Sequence, residues 1–545
     1  MSRSPETDNS IAFPYLTDHE IATLREVGTI SLYKDGETVF RAGEEIDLLV
    51  VDSGAIEIVN PSNGNKSVVI HQPGQFAGDI DILTRRPVLV SGIARGETRV
   101  LRVPAERLRE VLNKLPSFGE TMLNAVQERR RLLMQIGALG LKVVGPGKCK
   151  DTTRVREFLF KNFVPFTWYD TTSETGQKLM SEWGSPKHSP VIEFGNGNRL
   201  VNPSLRDVAK NAGVWKHVSS GSFDLAVIGA GPAGMAAAVY AASEGVSTVV
   251  LDQLGPGGQA SASSRIENFM GFPSGLSGSE LATRSALQML KFGARMVAPV
   301  AVERLNTAAG PDGAHVLHLD CGTDLVARTI LIAAGVQWRR LDAAGADRFD
   351  GAGIHYACTS VEAVLYDNQD VAVVGGGNSA GQAAVYLSQC CLSRTVHLLV
   401  RSRLGTSMSD YLVGRISATP NIVIHEGASI ASVEGKPRLE QITLKSGGTL
   451  PAGAVFVFIG SDPGCTWLPE TIVRDKLGYI LTGMDAFQSG RWPLKDREPC
   501  PLETTIPEIL AAGDIRAGST KRVGFAVGDG SLAVTCVHKL IAIRS

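Results

Sequence analysis

Near the start of the chain, apolar residues come in short runs, ETVFRAG, DLLVVDSGAIEIV and KSVVIHQPGQFAG, with Gly36, Gly43, Gly54 and Gly74 at the breaks. Short runs with regular turn signals predict an all-β roll or barrel over residues 15–115. The period then changes. Leu108, Val111, Leu112 and Leu115 fall at i, i+3, i+4 and i+7, one face of a helix, and NAVQERRRLLMQ continues the helical pattern. A roll closed by helices is expected over 15–137.

Residues 141–214 show a different rhythm. LKVVG reads as a strand, TTRVREFLFKN as a helix, VPFTWYDT as a second strand, and HSPVIEF as a strand opened by Pro190. From residue 221 the signal is stronger still. FDLAVIGAGPAGMAAAVYAASEGVSTVVLDQ is an apolar strand, a glycine turn, a small-residue helix and a second strand ending in an acid. In that order Gly229 makes the tight turn, Gly231 lets backbone approach a pyrophosphate, Gly234 permits helix–sheet packing, and Asp252 can take ribose hydroxyls. A second copy, DVAVVGGGNSAGQAAVYLSQCCLSRTVHLLVRSR, places Gly375, Gly377 and Ala380 in the three motif positions. Its second strand ends in Arg401 and Arg403. Basic residues there favour a 2′-phosphate, hence NADPH over NADH; solvation of a surface loop is the alternative.

Composition adds limits rather than content. The 545 residues predict several domains, and 54 Lys+Arg against 55 Asp+Glu give no global field for nucleic acid. No run of about 18 apolar residues and no leader-like apolar segment is seen, so neither a membrane nor a secreted location is expected, and the chain reads as cytoplasmic. None of the eight cysteines forms C-x-x-C, which argues against a zinc ribbon or thioredoxin-type pair; most read as small buried hydrophobes. No metal site is expected.

Three resemblances follow from these residues. The roll resembles a cyclic-nucleotide-binding domain, with GQFAGDIDILTRRPVLVSG in place of the phosphate-binding cassette. Asp79 stands for the acid of that family, but the arginine's place falls near Leu89 or Val90, and Arg85 and Arg86 come too early. That leaves cyclic-nucleotide binding in doubt and a structural or protein-docking role as the other reading; no helix-turn-helix follows. Residues 141–214 resemble the thioredoxin and glutaredoxin fold, which implies a cis Pro190 and places PGKC where the family has C-x-x-C, so that only Cys149 survives. A lone thiol at a helix N-terminus can still be activated, against the reading of a redox-silent linker.

The remainder, 221–545, resembles the low-molecular-weight thioredoxin reductases, two dinucleotide-binding folds with one inserted in the other. The resemblance implies a multidomain α/β chain: flavin domain 221–345, nicotinamide domain 346–465, and flavin domain again 466–545. It implies FAD held by Gly229, Ala230, Gly231, Pro232, Ala233, Gly234, Asp252 and Gln253, and by Gly258, Gln259 and Asn268 of GPGGQASASSRIENFMGFP. Ala334 and Gly335 of the crossing strand belong with these, as do Gly513, Asp514 and Arg522 of the C-terminal motif. NADPH falls to Gly375, Gly377, Asn378, Ser379, Arg401 and Arg403. Val523 and the Val400–Arg403 run depart from that family's pattern. A homodimer through the flavin domain is a further implication.

One segment does not conform. Thioredoxin reductases carry C-A-T-C shortly before the second glycine turn, where this chain has GIHYACTS. Aligned on Gly353 and Thr359, Ala357 and Ser360 take the two cysteine places and Cys358 falls between them. Passing electrons to a disulfide needs an attacking and a resolving thiol. Three readings stand: an NAD(P)H-dependent flavoprotein with a non-dithiol acceptor not identifiable from sequence; a disulfide reductase using Cys358 and another cysteine such as Cys149; and a flavin-bearing sensor in which the N-terminal modules engage a partner.

Overall fold

A computed structural model describes residues 11–544, except 62–63, 137–139, 148, 185–189, 196, 216–221, 264, 309, 359, 437 and 466. The chain forms two compact bodies, one of residues 1–146, 155–216 and 290–293, the other of 147–154, 217–289 and 294–545.

In the first body, α1 (Asp18–Val27) opens on a capping box in which Thr17 and Glu20 satisfy each other's backbone N–H groups. The roll follows as β1 (Thr29–Tyr33), β2 (Thr38–Phe40), β3 (Leu48–Asn60), β4 (Lys66–His71), β5 (Phe76–Ala77), α2 (Ile80–Thr84) and β6 (Ser91–Val103). The long β6 and β3 pair antiparallel at its centre, flanked by β1 and β4. Helices α3 (Ala105–Lys114) and α4 (Pro116–Ile136) close it, and Leu108, Val111, Leu112 and Leu115 are all buried as the periodicity requires. The second sheet is built from β7 (Leu141–Val144), α5 (Lys150–Lys161), β8 (Phe166–Tyr169), α6 (Glu174–Trp183), β9 (Val191–Glu193), β10 (Arg199–Val201) and α7 (Leu205–Asn211). Its order is β10-β9-β7-β8, with β7 and β8 parallel and the others antiparallel. The βαβ unit read from sequence is present. The Ser189–Pro190 bond involves a residue outside the described set.

The second body contains two Rossmann-like sheets. In the first, β11 (Ser222–Ile228), α8 (Pro232–Ser243), β12 (Thr248–Leu251), α9 (Gly278–Phe292) and β13 (Arg295–Val297) lead to the antiparallel β14 (Val302–Asn306), β15 (His315–Leu319) and the long β16 (Asp324–Ile332). The chain leaves by β17 (Val336–Trp338). The second sheet uses β18 (Ile354–His355), α10 (Ser360–Leu365), β19 (Val371–Val374), α11 (Asn378–Cys390), β20 (Val396–Val400), α12 (Asp410–Ser417) and β21 (Ile422–Glu426). An antiparallel trio, β22 (Ile430–Glu434), β23 (Gln441–Leu444) and β24 (Thr449–Pro451), precedes β25 (Ala454–Val457). All five strands β18-β25-β19-β20-β21 are parallel, and β19, β20 and β25 are buried along their length, which is why they read as unbroken apolar runs.

The chain returns through β26 (Ser461–Pro463), paired antiparallel with β17, so departure and return form one ribbon between the sheets. Then α13 (Gly483–Gln488), β27 (Ile509–Ala511), pairing parallel with β16, and α14 (Val523–Arg544) complete the first sheet's layers. Residues Val523–Ala542 of α14 are long and apolar enough to cross a membrane by length and composition, a difference from the expectation that no such run exists. Its apolarity has a local cause: a Cβ on Gly530 would lie 2.2 Å from the Ala233 carbonyl, so α14 packs backbone to backbone on α8.

Candidate active site

At the flavin-side turn, Gly229 has φ +105°, and a Cβ there would lie 2.4 Å from the Ala333 carbonyl. A Cβ on Gly234 would be 1.9 Å from the Gly229 carbonyl, so α8 can approach the turn only with glycine. Gly231, at the start of α8, is different: a Cβ would meet nothing closer than the Gly258 Cα at 3.9 Å. The first and third glycines serve the fold, and the second faces open space at a helix N-terminus, as a pyrophosphate cradle requires.

The carboxylate of Asp252 accepts from Ala230 N at 2.8 Å and from Leu254 N and Gly255 N, each at 2.8 Å. Before any ribose contact, this acid ties the glycine turn to the following loop. Gly257 N donates to the Ala230 carbonyl at 2.7 Å, and Gln259 Nε2 donates to the Val336 carbonyl, which anchors the loop to the interdomain ribbon. Gly258 (φ +53°) lies against Gly231, Gly335 has φ +64°, and Gln253, Asn268 and Ala334 are exposed.

The C-terminal motif meets the same turn. Gly513 (φ +76°) leaves no room for a Cβ, which would come 2.9 Å from the Ala233 Cβ. Asp529 on α14 accepts from Gly513 N at 3.0 Å and from Arg516 Nε at 3.1 Å. Burial holds the Asp514 carboxyl above its usual range, opposed by the nearby Lys521 ammonium, which donates to the Asp514 carbonyl. Arg522 is exposed immediately ahead of α14, where Gly524 and Gly528 leave open space. Asp529 and Lys521 are not among the residues the sequence motifs point to; the one signal for them is an aspartate between two glycines in an apolar helix.

The nicotinamide-side turn repeats the arrangement with different closure. Gly375 (φ +147°) would bring a Cβ 2.4 Å from the Phe458 carbonyl, whereas a Cβ on Gly377 would meet nothing within 4 Å. Asn378 Nδ2 donates to Ser409 Oγ at 3.0 Å, and Ser409 N donates back to Asn378 Oδ1 at 2.8 Å. Ser407 Oγ donates to the Gly376 carbonyl at 3.0 Å. These two serines, just beyond the Val400–Arg403 run, hold the loop after β20 onto the glycine turn. Arg401 and Arg403 are exposed on that loop, and Ser379 follows Asn378 in the first turn of α11. Arg415 on α12 pairs with Glu267 of the flavin-side loop at 3.1 Å.

GIHYACTS runs from Gly353 through β18 to the first residue of α10, and Cys358 forms a parallel bridge to Ser263 of the flavin-side loop. Thr359 lies outside the described residues. Cys358 is 2% exposed, within the cluster containing Ala383, Leu387 and Phe456. Burial, reinforced by Glu362, pushes its thiol well above the ordinary range. Because the helix begins at Ser360, the C-x-x-C spacing counted from Cys358 puts Val361 in second place. On that register or on the Ala357/Ser360 register, one thiol remains. Arg394, with a fully buried side chain, donates to the carbonyls of Ala363, Tyr366 and Leu387 and so fixes the end of α10 against α11.

The cysteines differ from expectation. All eight are free, but only Cys358, Cys465 and Cys536 are buried; Cys390 is exposed and Cys149, Cys321, Cys391 and Cys500 are half-buried. The sequence offers no distinction because burial depends on tertiary packing: only Cys390 and Cys536 lie in helices, and the other six sit in loops or turns. Cys149 immediately precedes α5, and its carbonyl accepts from Thr153 N at 2.9 Å. Among the described residues no group of His, Cys, Asp or Glu could hold a metal ion.

In the roll, both arginines of the cassette segment have structural partners. Arg86 is buried, donating to the Asn162 carbonyl at 2.6 Å and pairing with Asp81 at 3.2 Å; Arg85 pairs with Glu45 and Glu106. Asp79 caps α2 through Ile80 N at 2.7 Å. The positions near the missing arginine, Leu89 and Val90, are half-buried. A cation does reach the cassette, from α4: Arg129 donates to the carbonyls of Ala12 at 2.6 Å, Gly78 at 2.7 Å and Phe76 at 3.0 Å, over the Phe76 ring. Burial lowers its pKa to about 10. His71, 3% exposed beside it, is lowered to about 3 by burial and the Arg129 charge.

Residues 223–530 match the family model described as pyridine nucleotide-disulphide oxidoreductase, more than half of the chain. The chain belongs to that family. Residues 31–114 match the model of the cyclic nucleotide-binding domain. Among curated relatives, the chain is 31% identical over 317 residues to a thioredoxin reductase of Treponema pallidum, covering 57% of this chain and 94% of that one. It is 27% identical over 347 residues to an alkyl hydroperoxide reductase component of Staphylococcus aureus, covering 63% of each. Among solved structures, the thioredoxin reductase of T. acidophilum superposes with a TM-score of 0.52 at 25% identity, covering 59% of this chain and 99% of that one. The chain is thus an oxidoreductase of the FAD- and NADPH-using, thioredoxin reductase-like class. The open space at Gly231 and Gly377, each at the N-terminus of a helix behind a parallel strand, fits the two dinucleotides.

Proposed function

We propose that the protein takes reducing equivalents from NADPH through FAD to an acceptor that is not a dithiol. The supporting observation is the contrast at Cys358: both glycine cradles are open, while the single thiol at the place of the family's reactive pair is buried and held protonated. A thiol is nucleophilic as the thiolate, and disulfide exchange needs access to sulfur. When bound, FAD supplies the two-electron carrier, accepting hydride from the nicotinamide. The chain's own residues do the positioning. The Gly229–Gly234 turn and α8 hold one pyrophosphate, Asp252 and Gln259 brace the loop beneath it, and Asp529 fixes the Gly513–Asp514 turn. On the other side, Ser407, Ser409 and Asn378 shape the cradle, and Arg401 with Arg403 recognises a 2′-phosphate as fixed cations.

A second reading, reduction of a disulfide substrate, draws support from the names of the relatives and from exposed Cys390 as a conceivable second thiol. The two part in an anaerobic NADPH titration followed by an acceptor screen. Bleaching of the flavin with turnover of quinone, ferredoxin or oxygen, and none of thioredoxin disulfide, supports the first. Thioredoxin turnover that is lost in Cys358→Ser supports the second, and a flavin spectrum unchanged by NADPH and NADH excludes both. We place the protein in the cytoplasm as a homodimer, without nucleic-acid or membrane partners. We read the roll as a structural or docking module, because Arg85 and Arg86, the arginines of the cassette segment, are engaged with carboxylates and a carbonyl of the protein, and Leu89 and Val90 stand near the place of the family's arginine.

A further inference from the structure

A cavity lies in the flavin domain, away from both glycine turns. It has a volume of about 860 Å³ and is lined in part by Glu470, Thr471, Arg474, Ser489, Arg491 and Thr505. Its position follows from strand direction. β27 runs from Ile509 to Ala511 parallel to β16, and its far end leads into the Gly513–Asp514 turn of the flavin site. Thr505 lies before its near end, so the cavity and the flavin motif sit at opposite ends of a strand about 10 Å long.

The cavity wall is braced. Glu503, fully buried, accepts from Arg497 Nη1 and Nη2 at 2.7 and 2.8 Å, from Cys500 N at 2.9 Å and from Glu508 N at 2.7 Å. Four donors on one carboxylate fix the loop that carries Thr505. Thr505 Oγ1 in turn donates to the Thr471 carbonyl at 2.7 Å and accepts from Val473 N at 3.1 Å, which locks the floor. A cavity whose walls are satisfied without a ligand is pre-formed.

Its charges are not satisfied in the same way. Arg474 has no carboxylate partner among the described residues; it donates one Nη to the carbonyls of Leu468 and Pro469, and its buried Nε has no hydrogen-bond partner. Arg491, also on the lining, is exposed, and among the described residues it bonds through its backbone N–H alone, to Ser489 Oγ at 3.3 Å. Elsewhere in this domain arginines meet carboxylates, as Arg497 meets Glu503 and Arg516 meets Asp529. Two carboxylate-free guanidinium groups on residues lining one cavity form an arrangement suited to an oxyanion, while the Ser489 hydroxyl is committed to the Ala486 carbonyl at 2.6 Å and shapes the wall. Glu470 at the exposed edge adds an acceptor for a donor group on the same ligand.

We propose that this cavity is a binding site for a small divalent oxyanion bearing hydroxyl or amine donors, separate from the FAD and NADPH sites. The shared chemistry covers a phosphorylated or a dicarboxylated metabolite, and two probes separate them. Isothermal titration of the full-length, FAD-loaded protein with inorganic pyrophosphate and with succinate is performed on an Arg401→Ala/Arg403→Ala background, so that the nicotinamide-side arginines do not contribute. The expected result is saturable binding of one probe, weakened about tenfold or more by Arg491→Ala, as for loss of one charge-assisted contact. Arg491 is exposed and its guanidinium unpaired, so that variant keeps the fold. Preference for pyrophosphate assigns a phosphorylated ligand, and preference for succinate a dicarboxylate. Absence of binding by both probes, or equal binding in Arg491→Ala, overturns the proposal.

Discussion

The two glycine turns and the two emptied sites of this chain make opposite use of backbone and charge. At Gly231 and Gly377 a helix N-terminus faces space that no side chain fills, although the flanking Gly229, Gly234 and Gly375 are packed so tightly that a Cβ would collide with backbone. At the cassette of the roll and at Cys358 the chain commits its chemical groups to its own structure: Arg85 and Arg86 pair with carboxylates, and Cys358 disappears into the α10–α11 core. Tight packing around an open centre marks a site kept for a ligand.

Filling an open centre gives the largest effect. Gly377→Val places a side chain where the protein leaves room, so the fold and the FAD content stay unchanged while kcat/KM for NADPH falls at least about 100-fold. Gly375→Ala, by contrast, meets the Phe458 carbonyl and reports on folding instead. Retained NADPH reduction in Gly377→Val would show that the open space is not the coenzyme cradle.

The next effect is smaller and tests the charge at the rim of the same turn. Arg401→Ala/Arg403→Ala raises KM for NADPH about 10- to 100-fold with little change for NADH, because each exposed guanidinium contributes a charge-assisted contact only to the 2′-phosphate. An equal rise for both coenzymes would make the arginines general electrostatic anchors.

The closed roll responds to pH. His71 is neutral when folded and titrates at about 3, against 6.5 when exposed. Between those values the unfolded chain binds a proton that the folded roll does not, so stability falls as pH falls, by about 1.4 kcal/mol per unit below 6.5. Calorimetric unfolding at pH 7, 6 and 5 should show a shallower pH dependence in His71→Leu than in the parent. Identical slopes would mean that His71 is hydrated and the roll less closed than its burial indicates.

Much of this was legible because the motifs are made of backbone constraints. The strand–turn–helix order, the roles of three glycines, and the basic end of β20 all follow from residue type and spacing. What escaped was closure. Ser407 and Ser409 look like an ordinary loop until it folds back on Gly376 and Asn378, and Asp252 reads as a ribose acid although its oxygens first accept three backbone N–H groups. Arg129 lies 50 residues beyond Asp79 in sequence, so no local pattern announces that α4 delivers a cation to the cassette. The cysteines failed for the same reason: free and apolar in type, they scatter between core and surface according to tertiary packing.

The route by which electrons leave the flavin turns on Cys358, and removing its thiol exposes that route. In Cys358→Ala, NADPH-driven reduction of ferricyanide, an acceptor without disulfide chemistry, and of the physiological acceptor found by the screen should proceed within about twofold of the parent rate. Loss of turnover with the physiological acceptor, with flavin reduction by NADPH intact, would show that electrons leave through the thiol and would contradict a non-dithiol route.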